Sequence, residues 1–267
     1  MKAGTSSLFH HACQHPAIAE CEVKEPDFFT DESHEGDGIE AYEAFWPQPH
    51  DSFEVALEAS TNYTKQPLFP DASARMARFD REFRFVYVLR DPWDRIESHL
   101  AHALRNGYHD ERRHVDDSPH IVHTSRYAAQ LRSYVTHFSR DAIHLVDFER
   151  FVRDPEAVLR EVFDFLDLAT DVPLRGLDEA YNRTPDFHDG RLSALVKDVA
   201  GVDEQTIESA PDWLRRTYRA FLQTPAPDAT LSDDERRYVA FSLQSDLELL
   251  ERDFGVDVSR WGGEGEP

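Results

Sequence analysis

The sequence predicts an α/β domain with a largely parallel sheet, flanking helices and a helical C-terminal third. Three observations carry that reading. Short apolar runs at 19–23, 53–57, 83–89 and 142–146 alternate with helical segments, as when crossover helices join parallel strands. The run Phe85-Val86-Tyr87-Val88-Leu89 is continuously apolar, as in a strand covered on both faces. The helical segments also carry their own start and stop signals.

Those signals can be taken in chain order. Asp91 is placed to cap a helix that opens on Pro92 and stops before Gly107, with Trp93, Ile96, Leu100, Ala103 and Leu104 on one face. Ser125 is expected to start a second helix, with Tyr127, Leu131, Tyr134, Val135 and Phe138 turned inward. Asp154-Pro155 starts a third, whose apolar face holds Leu159, Val162, Phe163 and Leu166. Ser232 and Glu235 form a capping box for a long helix ending at Gly255. With 267 residues, the chain reads as a single domain over 1–261 and a loose tail over 262–267.

Composition bounds the function. Asp and Glu number 52 against 29 Lys and Arg, a formal net charge of -23, and only Lys2, Lys24, Lys65 and Lys197 are lysines. Excess carboxylate with scarce lysine fits a halophilic protein, because salt screens the self-repulsion. It disfavours nonspecific nucleic-acid binding, which needs a basic surface. No apolar run reaches the length of a membrane span, and the N-terminal residues do not read as a signal peptide. Cys13 and Cys21 read as reduced packing residues, and the expected location is cytoplasmic. The 14 histidines fall in no Cys-pair or H-E-x-x-H spacing, so no metal is expected.

Two segments carry anion-binding chemistry. Lys2-Ala3-Gly4-Thr5-Ser6-Ser7-Leu8-Phe9 is a small, hydroxyl-rich turn running into a helix. Such a P-loop-like turn offers backbone N–H groups and a helix N-terminus to a phosphate. It differs from the ATPase pattern, because Lys2 precedes the glycine instead of following a second one. An ordinary capped helix start would show similar residues. In Arg90-Asp91-Pro92-Trp93-Asp94-Arg95-Ile96-Glu97-Ser98, Arg90 ends the apolar strand and Ser98 follows two helical turns later. A strand-end Arg and a helix Ser can grip one phosphate, at the end of the sheet where ligands bind.

At these residues the chain resembles the sulfotransferases that use 3′-phosphoadenosine 5′-phosphosulfate, in particular the heparan-sulfate-like and bacterial branch. Lys2 to Leu8 resembles the loop that holds the 5′-phosphosulfate. Lys24-Glu25-Pro26-Asp27-Phe28-Phe29 resembles the K-E-P-x-F-F segment, and Glu58-Ala59-Ser60-Thr61-Asn62-Tyr63 the substrate-side segment. Arg90 to Ser98 matches the 3′-phosphate motif. Asp147-Phe148-Glu149-Arg150-Phe151, Asp154-Pro155 and Phe165-Leu166 resemble the later punctuation of the family, so the likeness extends almost to Trp261. A clean late K-G-R-type closing loop is not seen, and Arg183 or Asp189-Gly190-Arg191 are the substitutes considered.

The resemblance implies a donor site made of Lys2, Ala3, Gly4, Thr5, Ser6, Ser7, Arg90 and Ser98. Lys2 and the loop would stabilise charge building on the leaving phosphate. It implies Glu25 as the base for an acceptor hydroxyl on a carbohydrate or glycolipid, with Lys24 holding Glu25 or touching the sulfonate. Glu58, His99 and the histidines of the 108–124 loop are the reserve bases, and that loop is a candidate acceptor surface. Two rival readings remain: a small-molecule kinase on a similar scaffold, and a non-catalytic descendant that binds a nucleotide or partner. The family pattern also implies a strand directly before the loop. The expectation is therefore that the natural chain starts about ten residues upstream of Met1 and includes an apolar run ending in a small residue.

Overall fold

The computed structural model describes residues 2–47, 52–105, 115, 119–177, 187–189, 223–225 and 229–262. The elements are α1 (Thr5–Ala12), β1 (Ile18–Glu20), α2 (Ile39–Glu43), β2 (Val55–Leu57), α3 (Ala72–Met76), β3 (Phe85–Leu89), α4 (Pro92–Arg105) and α5 (Pro119–His123). They continue as α6 (Tyr127–Val135), β4 (Ile143–Asp147), α7 (Phe148–Arg153), α8 (Pro155–Phe165), β5 (Phe187–Asp189), β6 (Gln223–Pro225) and α9 (Asp233–Phe254). β1 pairs parallel with β2, placing Ile18 opposite Val55 and Glu20 opposite Leu57. β3 pairs parallel with β4, from Phe85 opposite Ile143 to Leu89 opposite Asp147.

Side-chain alternation along β3 and β4 feeds two apolar layers. Val88 and Val146 pack with Leu8 and Ala12 of α1 and with Val158, Leu159, Val162 and Phe163 of α8. Leu89 and Ile143 turn the other way, onto Tyr127, Leu131 and Tyr134 of α6 and Leu250 and Phe254 of α9. This two-sided cover is the reason the β3 run is apolar without alternation. α4 buries Trp93, Ile96 and Leu100 against α5 and α9 in a third cluster.

Several boundaries move for identifiable reasons. β1 stops at Glu20, short of the expected 19–23, because Glu22 N–H turns away to the Phe45 carbonyl at 2.9 Å. α6 starts at Tyr127 rather than Ser125, and its N-cap residue Arg126 supplies no capping side chain. Ser125 is fully buried and its hydroxyl accepts from Arg95 Nε at 2.5 Å. The cap comes from α9, where the buried Asp246 carboxylate accepts from the Ala128 and Ala129 amides at 2.9 Å each. The C-terminal third is helical through α9 but also contains the antiparallel β5–β6 pair, which the periodicity did not indicate. Gly262, assigned to the tail, is docked: its N–H donates to Asp91 Oδ2 at 2.8 Å.

The capping box is formed, with Ser232 N–H donating to Glu235 Oε2 at 2.9 Å and Glu235 N–H to Ser232 Oγ at 3.4 Å. α9 then ends on Gly255 in the left-handed region, at φ 71°. Asp246→Ala should remove both capping bonds of α6 and lower stability by about 2–3 kcal/mol. The urea midpoint reads this, and an unchanged midpoint would mean that water replaces the carboxylate without loss.

Candidate active site

The loop from Lys2 to Gly4 enters α1 through a glycine in the left-handed region, at φ 73°. A side chain there would strike a ring, because an added Cβ would lie 2.6 Å from Phe148 Cε2. Among the described residues no side chain caps α1, and no acidic residue sits in its first turn, so the ordinary capped start does not describe this helix. The start of such a helix carries backbone N–H groups and a favourable partial charge for an anion. Ala3 and Ser7 are buried, whereas Lys2, Gly4, Thr5 and Ser6 are half-buried.

Arg90 leaves the end of β3 and reaches this loop. Its Nη1 donates to the Lys2 carbonyl at 2.9 Å, and its guanidinium lies over the Phe148 ring, 4.8 Å from the centroid. Phe148 is thus held between the glycine of the loop and the arginine of the strand. The Arg90 Nε is buried and has no protein partner among the described residues. The Arg90 carbonyl accepts from Tyr127 Oη at 2.8 Å, which fixes the backbone at the strand exit. Asp91 Oδ1 accepts from Trp93 N–H at 2.9 Å, the cap expected for α4. Ser98 is half-buried on α4, two turns along.

Arg95 and His99 lie deeper on the same helix. Arg95 is 1% exposed and is held by neutral partners: Ser125 Oγ, the Ile121 carbonyl and His99 Nδ1. Burial holds its guanidinium below the ordinary arginine value. Burial first, then the Arg95 charge, pushes His99 down to about 2. A histidine so depressed stays neutral and is a poor proton acceptor, which weakens it as a reserve base.

The second candidate segment folds against the 3₁₀ turn Thr61–Thr64. Glu25 is half-buried and accepts from Thr61 Oγ1 at 3.0 Å. Asp27 Oδ2 accepts from Asn62 Nδ2 at 2.7 Å, and Asn62 Oδ1 accepts from Lys65 Nζ at 2.7 Å. Burial lowers the Lys65 value, and the Glu25 and Asp27 charges oppose that shift. Burial, then the Glu25 charge, raises Asp27. Glu58 is committed to Tyr42 Oη at 3.1 Å and Ser60 Oγ at 2.5 Å, and burial raises it too. Lys24 is exposed.

Backbone strain gathers at these same segments. Lys2, Glu25 and Asp27 are three of the four described non-glycine residues with positive φ, at 62°, 55° and 52°. Each costs about 1 kcal/mol or more relative to an ordinary backbone conformation.

The structure therefore joins Lys2 and Gly4 to Arg90, and sets Glu25 beside a lysine other than the expected one. Lys65, Asn62 and Thr61 were not picked out individually, although Thr61 and Asn62 lie in a segment the motifs marked and Lys65 is one of only four lysines. Phe148 was read as punctuation alone. Arg183, Gly190 and Arg191 lie outside the described residues, as does most of the 108–124 loop. Among the described residues no cluster of three His, Cys, Asp or Glu side chains is arranged to hold a metal, and no helix is long and apolar enough to cross a membrane.

A loop at a helix start, tied to an arginine at the exit of a parallel strand, is an arrangement that an α/β fold can offer to a phosphate-bearing ligand. The comparisons make the class specific. Residues 1–184 match the family model described as a sulfotransferase domain, and the chain belongs to that family. It is a sulfotransferase enzyme. The chain is 24% identical over 241 residues to heparan sulfate glucosamine 3-O-sulfotransferase 5 of Homo sapiens, covering 83% of this chain and 68% of that protein. It is 26% identical over 181 residues to heparan sulfate glucosamine 3-O-sulfotransferase 3A1 of Mus musculus, covering 62% of this chain and 44% of that protein. The crystal structure of a sulfotransferase from Alicyclobacillus acidocaldarius shares the fold, with TM-score 0.64 and 22% identity over 97% of this chain and 94% of that one.

The buried histidine makes a pH prediction. Its folded value is depressed, so its contribution is full above about 6.5, the ordinary histidine value, and is lost as pH falls toward about 2. The slope is about 1.4 kcal/mol per pH unit. Between pH 6.5 and 5 the protein should therefore lose about 2 kcal/mol more than His99→Asn. Parallel acid limbs in urea titrations of the two proteins would refute the assignment.

Proposed function

We propose that the enzyme transfers the sulfuryl group of 3′-phosphoadenylyl sulfate to a hydroxyl of a carbohydrate or glycolipid. The observation that carries the reading is the bond from Arg90 to the Lys2 carbonyl. It puts the loop suited to one phosphate beside the strand-end cation suited to another, as a donor phosphorylated at both ends of its ribose requires. The start of α1, without a side-chain cap among the described residues, and Arg90 Nε, without a partner among them, are donors of the right kind for such an anion. The carbohydrate acceptor is supported by the relatives named for heparan sulfate.

In this reading Lys2, Ala3, Gly4, Thr5, Ser6 and Ser7 hold the 5′-phosphosulfate, and Arg90 with Ser98 holds the 3′-phosphate. Glu25 takes the proton of the acceptor hydroxyl as its oxygen bonds to sulfur. The bond from sulfur to the phosphate oxygen breaks, and the Lys2 ammonium and loop amides meet the charge left on that oxygen. Thr61 aims the Glu25 carboxylate by their hydrogen bond. Lys65 takes the supporting role first given to Lys24, because it shares the electrostatic environment of Glu25. Lys24, exposed beside that cluster, is left the sulfonate or the acceptor.

Three variants test the roles. Arg90→Ala should weaken binding of adenosine 3′,5′-bisphosphate by about 2–4 kcal/mol in titration calorimetry, with ADP affected far less. Equal loss for both nucleotides would point to collapse of the loop rather than a lost phosphate contact. Lys2→Ala should cut turnover at least about a hundredfold, and near-normal turnover would remove Lys2 from the chemistry. Glu25→Gln should lower kcat by about 10²–10⁴-fold with donor affinity kept, whereas loss confined to donor affinity would make Glu25 structural.

A further inference from the structure

The segment that follows α9, residues 256–262, is tied to the C-terminal ends of both β3 and β4. Arg260 Nη2 donates to Asp147 Oδ2, at the end of β4, at 3.4 Å. Gly262 N–H donates to Asp91 Oδ2, just past the end of β3, at 2.8 Å. Between these ties the Trp261 N–H closes a turn onto the Val258 carbonyl at 3.0 Å. Trp261 is the one described residue that packs against both the α6–α9 layer and the cluster of α4 with α5 and α9.

The ring of Trp261 meets that of Tyr127 edge to face, with centroids 5.9 Å apart. Tyr127 is buried and opens α6, a helix start whose N-cap residue supplies no capping side chain. Helix ends fray, so an opening residue keeps one position only where something packs it. The Tyr127 hydroxyl donates to the Arg90 carbonyl at 2.8 Å. The N–H of the same peptide unit, that of Asp91, donates to Glu149 Oε1 at 3.3 Å. A peptide unit is planar, so a hold on its oxygen and a hold on its N–H fix the whole plane. That plane carries the Arg90 Cα, from which the side chain departs toward the Lys2 carbonyl.

We propose that Trp261 is a positioning residue of the donor site: its ring seats Tyr127, Tyr127 holds the Arg90–Asp91 peptide, and that peptide aims the guanidinium. Trp261 acts through Tyr127, and its loss is felt where Arg90 grips a ligand. A residue that only filled the space between two clusters would act on all ligands alike. The grip of Arg90 on a 3′-phosphate rests on the function proposed above, whereas the tether on its carbonyl does not.

Amide hydrogen exchange of the unliganded protein reads the tether. Titration calorimetry with adenosine 3′,5′-bisphosphate and adenosine 5′-monophosphate reads the aim. In Trp261→Ala the Asp91 amide should exchange at least about tenfold faster relative to the amide of Leu159, a core residue of α8 outside both Trp261 clusters. Binding of the bisphosphate should weaken at least about tenfold, the scale of one lost hydrogen bond, and that of the monophosphate less than about twofold. Trp261→Phe, which keeps an aromatic edge, should recover most of both effects, and Trp261→Ala should add nothing in an Arg90→Ala background. Unchanged Asp91 exchange, equal weakening of the two nucleotides, no recovery by phenylalanine, or losses that add to those of Arg90→Ala would overturn the assignment. If the unaltered protein binds neither nucleotide, the donor reading fails and the Asp91 exchange alone decides the tether. Should Trp261→Ala not fold, Tyr127→Phe removes only the hydroxyl of the link, and it must give the same faster Asp91 exchange and the same selective loss.

Discussion

The guanidinium of Arg90 is the joint on which the candidate site is built. It connects a loop before α1 to the exit of β3, residues 88 positions apart, through one bond to a main-chain carbonyl. That bond uses a group every residue has, so it constrains the position of residue 2 whatever its side chain. Phe148 gives the arginine a face to lie on, and Gly4 gives Phe148 room on its other side. Each member excludes alternatives for the next: a Cβ at position 4 displaces the ring, and a displaced ring leaves the arginine without its platform. Lysine at position 90 would keep the charge and lose both the planar stack and the fixed fork.

The protein is strongly acidic overall, yet it buries a cationic side chain on the helix that follows this joint. The chain carries a formal net charge of -23, yet Arg95 is buried among neutral acceptors, with no carboxylate bonded to it among the described residues. A buried charge of this kind acts on its surroundings at reduced screening, as the His99 value, lowered first by burial and then by this charge, records. The left-handed backbone at Lys2, Glu25 and Asp27 belongs to the same economy of placement. Strain of this kind persists where the surrounding packing over-determines it, and here it falls in the loop before α1 and in the segment packed against the 61–64 turn.

What could be read from the sequence was what local order determines. The Asp91–Pro92 start, the apolar face of α4 and the two-turn spacing from Arg90 to Ser98 are set within a few residues, and the family motifs sit on that local frame. The Ser232–Glu235 box is likewise a four-residue pattern. Lys65 was overlooked because its charge meets those of Glu25 and Asp27 only after folding brings together segments some 35 residues apart. Ser125 misled because a serine before an apolar face looks like a cap until a buried arginine claims its hydroxyl. The role of Phe148 depends on packing from two other elements, and no periodicity marks such a residue.

The carboxylate that caps α6 has a consequence for synthesis. Asp246 lies 118 residues after the amide of Ala128 that it satisfies. Chains emerge from the ribosome N-terminal end first, and local elements begin to form as they appear. α6 must therefore wait, with its leading amides bonded only to water, until α9 has been made. Tyr127, the first residue of that waiting helix, is the one that holds the Arg90 carbonyl. The nascent protein thus completes the corner around the Arg90 carbonyl last, when its final helix docks, although nearly all the residues that form that corner were translated long before.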